Sequence, residues 1–198
     1  DDPNGVVVVN AGGSGFFRVA YDDTLRSRLD AEALAGLSTL ERYSLVDDAW
    51  AATVAGQMSA PALLDFLRAF RGEREHAVWQ AIAMALRGLN RLLDDGVAHD
   101  AFRAEVRSLV GPALSDLGEP VPGESDLTGK LRGLLTTSMG VLGADAGIRA
   151  RCRELFDQAA TDPASVDPEL TSAATSVVAA SAEADTYARL RHGFEHGS

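Results

Sequence analysis

The chain has 198 residues, 46% hydrophobic and 6% aromatic, with 29 acidic against 18 basic residues and a formal net charge of −11. That length can bury a core without disulfides or metals, and the single cysteine, Cys152, excludes an internal disulfide and fits a reducing, cytoplasmic setting. The acidic balance argues against nucleic acid, whose phosphates need clustered Lys and Arg, and no apolar run has the length of a membrane span.

The first element in the chain is the β-branched run 6–9 (VVVV), bounded by Asn4-Gly5 and Gly12-Gly13; it reads as a strand, a turn and a return strand over 16–21. Gly12, Gly13 and Gly15 fit no phosphate-loop pattern, so a hairpin turn is the reading. From Asp22 onward the apolar period becomes helical. Asp22 or Asp23 caps a helix running to about Leu34, and Gly36 stops it. Ser38-Thr39-Leu40-Glu41 is a capping box that starts a helix ending at Gly56, with Leu40, Tyr43, Val46, Trp50 and Val54 on one face. Ser59 and Pro61 start the next, which carries Leu63, Leu64, Leu67 and Phe70 before Gly72. A longer helix spans 73–94 with Trp79, Ile82, Leu86, Leu89 and Leu93 as its stripe.

Residues 98–117 are helical, with a kink or split expected at Gly111-Pro112. The loop 119–124 (EPVPGE) separates two helical groups, and helices over 126–139, 145–159, 167–180 and 183–192 follow. Short connections between amphipathic helices force antiparallel neighbours, so the chain reads as a helical array.

Chemistry-bearing patterns are few. His76, His99, His192 and His196 form no H-E-x-x-H, and only His192 and His196 share a helical spacing. The paired acids Asp47-Asp48 and Asp94-Asp95 point about 100° apart on a helix and make no acid/base pair. Arg151 and Arg153 flank Cys152 and would lower its thiol pKa if it were exposed; a plain surface or core cysteine is the other reading. No catalytic, cofactor-binding or metal-binding residue is assigned.

The segment from Asn10 through Gly15-Phe16-Phe17-Arg18-Val19-Ala20-Tyr21 is similar to N-x-x-x-x-G-[FY]-[FY]-R-V-x-Y of the aminopeptidase N family of zinc metallopeptidases. Leu37-Ser38, Arg42 and the run Leu45-Val46-Asp47-Asp48-Ala49-Trp50 resemble that family's next helix, and Trp79 fits the tryptophan of its P-W pair, with Val78 in place of the proline. Phe17 and Ala20 depart mildly from the commoner Tyr and Asn. Beyond Leu93 the likeness rests on helix order and on the stretches 150–156 and 187–190.

The resemblance implies a C-terminal helical domain, of the kind also carried by endoplasmic-reticulum aminopeptidases, in a parent enzyme that removes N-terminal residues from peptides with one zinc. Its H-E-x-x-H and G-A-M-E-N motifs are not in this chain. The implied fold is mainly α: an armadillo- or HEAT-like superhelix over residues 22–198, incomplete at its C-terminus, preceded over 1–21 by a β-hairpin left from a β-sandwich domain. Its partners would be the upstream catalytic and sandwich domains and the peptide, with no nucleic acid and no membrane, and the domain would close the active-site chamber. Gly15, Arg18, Tyr21, Arg42, Asp48 and Trp79 are the family-motif positions, structural rather than catalytic. Lys130 as the only lysine beside abundant arginine fits a GC-rich bacterial genome. The alternative is a stand-alone acidic α-solenoid that binds proteins.

Three structural expectations follow. Arg18 is partly buried and pairs with Asp48, so that Arg18→Ala costs roughly 3 to 5 kcal/mol. Trp50 and Trp79 are both largely buried, and the helices stack into a continuous apolar ridge. Residues 6–9 leave an exposed apolar patch where a sheet would have continued.

Overall fold

The computed structural model describes residues 5–181 and Arg191, which are helical or irregular with no β-strand among them. The chain divides into two compact units, Asp1–Asp94 and Asp95–Ser198.

The hairpin expected over 6–9 and 16–21 does not form. Backbone pairing is replaced by side chains: the Val9 N–H donates to the Tyr21 hydroxyl at 3.0 Å. Between them the chain makes a short 3-10 turn at Ala11–Gly13, where Gly12 and Gly13 take positive φ. Asn10 closes this loop from both sides, accepting from the Gly15 N–H at 2.8 Å and donating to the Gly15 carbonyl at 3.1 Å. A Cβ at Gly15 would lie 2.2 Å from the Phe17 ring and 2.8 Å from Asn10 Oδ1, so a larger residue there would displace both side chains. The expected apolar patch is present: Val6, Val7, Val9, Phe16 and Phe17 are all exposed.

The single helix expected from Asp22 to Leu34 is two. Helix α1 (Asp23–Arg26) is capped by Asp22, and α2 (Ala31–Ala35) by Asp30, whose carboxylate accepts from the Ala33 N–H at 2.9 Å. A second capping aspartate in mid-run lets the chain restart instead of continuing. Helix α3 (Thr39–Val54) carries the full capping box of Ser38 and Glu41. It ends on Gly56 at φ +73°, with the Gln57 N–H bonded back to Ala52 and the Gly56 N–H to Thr53, a Schellman closure that only glycine enters without strain. Helix α4 (Ala60–Leu67) is capped by Ser59 and tightens into a 3-10 turn over Arg68–Gly72; α5 (His76–Asn90) follows.

In this unit α3 packs on α5 and α4, burying Val46, Leu63, Leu67, Val78, Trp79, Ile82 and Leu86. Trp79 is 1% exposed, as expected. Trp50 is less deeply buried than Trp79 but still mostly enclosed: its ring lies over Gly88 of α5, where an added Cβ would fall 2.2 Å from it. The missing side chain lets α3 approach α5 there.

The second unit contains α6 (Val97–Leu117), α7 (Asp126–Thr137), α8 (Ala146–Thr161) and α9 (Pro168–Ala180). Helix α6 runs through Pro112 unsplit, since Val106, Leu109, Val110 and Ala113 are buried on both sides of it and tertiary packing outweighs one lost donor. The loop 119–124, expected to separate two helical groups, lies inside this unit. Helices α7 and α8 both pack on α9 around Cys152, Leu155, Val166, Leu170, Ala174 and Val177. After α7 the chain widens into a π turn over Ser138–Leu142. Its carbonyls are taken by arginines from neighbouring helices, Gly140 by Arg149 Nε at 2.8 Å and Gly143 by Arg107. The helix expected over 183–192, with His192 and His196, lies outside the described residues. No helix among the described residues is long and apolar enough to cross a membrane.

Candidate functional site

The motif residues of the first unit gather into two polar nodes. The first joins the N-terminal segment to α3. Arg18 Nη1 donates to Asp47 Oδ2 and, at 3.3 Å, to Asp48 Oδ1, so the expected partner is found together with its neighbour. Asp47 and Asp48 do diverge, but one guanidinium bridges them. Burial raises the Asp48 pKa above its ordinary value, against the opposing pull of Arg18 and of the Val19 N–H.

Arg18 itself is not buried; its side chain is 59% exposed. An exposed guanidinium is hydrated in the folded state as in the unfolded one, so the expected cost of Arg18→Ala falls to about 1 kcal/mol or less. A urea titration of the variant checks this, and a loss of several kcal/mol would restore the buried-charge reading.

The second node was not legible as a unit. Arg42, in the second turn of α3, donates from Nε to Glu73 Oε2 at 2.7 Å and from Nη2 to Oε1 at 3.2 Å, while Nη1 donates to the Leu37 carbonyl at 2.5 Å. Glu73 Oε1 also accepts the N–H groups of Arg74 and Glu75, both at 2.8 Å. The Glu73 carbonyl accepts from Trp79 Nε1 at 3.1 Å. Two motif residues, Arg42 and Trp79, therefore meet on one glutamate whose side chain is 4% exposed. Burial alone would raise the Glu73 pKa; the guanidinium and the two N–H groups outweigh it and hold the carboxyl below its ordinary value.

The second unit has a comparable buried arginine that the sequence reading missed. Arg132 on α7 donates from Nε to the Gly118 carbonyl at 2.8 Å and from both terminal nitrogens to the Glu124 carboxylate at 2.5 and 2.7 Å. It ties the end of α6 to the loop before α7, and it lowers the Glu124 pKa. The signal available for both glutamates is position: each lies just before a helix start, within reach of an arginine on a helix.

These nodes hold elements in place; they offer no chemistry. Every buried side-chain polar atom among the described residues has a partner. No three His, Cys, Asp or Glu among the described residues converge into a group that could hold a metal ion. His99 Nδ1 lies 3.2 Å from Asp95 on α6, and His76 opens α5. Cys152 is buried at the centre of the second unit, and desolvation pushes its thiol up to about 11 against the pull of Arg151; of the two readings, the core cysteine is the one found.

The chain matches the ERAP1-like C-terminal domain family over residues 6–196. It is 32% identical to Aminopeptidase M1 of Arabidopsis thaliana over 160 residues, covering 76% of this chain and 18% of that protein. Tricorn protease-interacting factor F2 of Thermoplasma acidophilum is 28% identical over 158 residues, 80% of this chain and 19% of that protein. The thyrotropin-releasing hormone-degrading ectoenzyme of Rattus norvegicus is 32% identical over 124 residues, 60% of this chain and 11% of that protein. The matched region is less than a fifth of the length of each relative.

Proposed function

Since the chain belongs to the family of ERAP1-like C-terminal domains, as carried by aminopeptidases of the M1 kind, we propose that it serves such an enzyme as a non-catalytic domain. The parent would be a zinc hydrolase that removes N-terminal residues from peptides. This domain would close its active-site chamber and shape access to it. The observation that carries the reading is the family match across residues 6–196, joined to the way Arg42 and Trp79, both motif positions, converge on Glu73.

In this reading residues 1–21 continue a preceding β-sandwich domain, which accounts for exposed valines and phenylalanines on a segment with no strand partner among the described residues. Residues 22–198 form an armadillo- or HEAT-like superhelix, and Gly15, Arg18, Tyr21, Arg42, Asp48 and Trp79 set its local geometry without touching the reaction. The catalytic and sandwich domains of the same chain and the peptide are its partners; a bacterial cytoplasm is its setting. Zinc belongs to the catalytic domain, where it would supply the Lewis acid that polarises the peptide carbonyl and activates water.

The 198-residue protein is expected to retain no stoichiometric zinc after dialysis and to release nothing from aminoacyl chromogenic substrates. Repeating the zinc measurement after truncation before Arg191 removes any contribution of His192 and His196. Chelator-sensitive turnover proportional to protein concentration would overturn the proposal. The full gene separates it from a stand-alone scaffold: H-E-x-x-H and G-A-M-E-N are expected upstream, and a reading frame without them would favour the scaffold.

A further inference from the structure

Residues 9–18 cross the N-terminal half of α3 with their large apolar groups in solvent: Val9 and Phe17 are more than half exposed and Phe16 is fully so. A cleft of about 450 Å³, lined by Asn10, Gly13, Gly15, Ser44, Asp47 and Asp48 among others, opens at this crossing. What joins segment to helix is mainly polar. The Gly12 N–H donates to Glu41 Oε1 at 3.0 Å, and Arg18 bridges Asp47 and Asp48. Gly13 against Leu40 adds one apolar contact, with a side chain that is itself half exposed.

We propose that residues 9–18 are an ionic strap, a preshaped loop that lifts from α3 as one piece when its charges are screened, while the helices stay folded. Three features make the release separable. Asn10 fastens both backbone groups of Gly15, so the loop keeps its shape without α3. Glu41 gives Oε1 to the strap but Oε2 to the Ser38 N–H, so the helix cap survives. Leu45 and Val46, beside the acids that hold Arg18, are buried apolar side chains of α3, and Asp48 keeps the Val19 N–H. An exposed guanidinium is open to screening, and local opening of this kind draws on few buried contacts.

The test is chymotrypsin cleavage after Phe16 and Phe17 of the 198-residue protein, normalised to a free peptide of the same sequence. It is run in about 0.1 M and about 1 M salt, where the screening length falls from about 10 Å to about 3 Å. Amide exchange of α3 is followed in parallel. Cleavage is expected to rise about three- to fivefold with salt and to the same level in Arg18→Gln, which should lose the salt response. Exchange in α3 should stay unchanged. Cleavage indifferent to both salt and Arg18→Gln would overturn the strap, and so would exchange in α3 that rises in step with it.

Discussion

Trp79→Ala is expected to destabilise the first unit by about 4 kcal/mol, within the range of about 3 to 5 kcal/mol for a large aromatic removed from a packed interior. The ring is 1% exposed in a unit whose Val46, Leu63, Leu67 and Ile82 are themselves fully buried, so the space it leaves is interior space. The substitution also removes the indole donor of the Glu73 carbonyl, which is left with Arg74 Nη1 at 2.8 Å. Trp79→Phe restores most of the volume and none of the hydrogen bond, so it should recover more than half of the loss. Urea titration followed by far-ultraviolet circular dichroism measures both. A loss near 1 kcal/mol in Trp79→Ala would mean the site relaxes and is not the keystone of α5.

Arg42→Ala should cost about 3 kcal/mol, toward the lower end for one partner of a buried pair, because Glu73 keeps two backbone donors. Its pH dependence is the sharper test. In the native protein the Glu73 pKa lies below its unfolded value, so its stabilisation is present above the ordinary carboxylate range and is lost as pH falls through the folded pKa. Without the guanidinium the pull against burial is weaker and the folded pKa moves up from its native position, so the variant loses less stability than the native protein as Glu73 takes up a proton. The gap between the two proteins should therefore narrow as pH drops from about 7 to about 4. A constant gap would show that Arg42 acts through its packed aliphatic stem and not through its charge. Combined with Trp79→Ala, the loss should fall short of the sum, since both residues act on Glu73.

Local signals were legible in the sequence wherever a short-range bond decides structure. Ser38 with Glu41, Ser59 with Pro61, and Asp167 with Pro168 each start a helix as read, because a cap is satisfied within four residues. The same rule went unapplied at Asp30, and one helix was expected where two form. The hairpin failed for a different reason. β-branched residues 6–9 state a preference for extended backbone, but a strand also needs a partner; the run is irregular, Val9 already begins a turn, and Tyr21 and Asn10 take hydrogen bonds that a hairpin would have used. Resemblance identified Arg42 and Trp79, yet Glu73 stayed hidden: its place just before a helix start is the one local signal, and 31 positions separate it from its arginine. The unit boundary at Asp94 was likewise invisible beside the proline-rich loop, which looks more like a linker and is held in place by Arg132.

Cys152 closes the account in practical terms. A thiol buried among Leu155, Leu170 and Val177 and titrating near 11 is almost wholly protonated at neutral pH, hence a poor nucleophile toward maleimides and iodoacetamide. The native protein is thus a ready background for site-directed probes. A cysteine placed on the surface of α3 or α6 would take a fluorophore or spin label alone, with no need to remove the natural one and disturb the packing of α8 on α9. Slow modification of Cys152 itself would then serve as a clock for opening of the second unit.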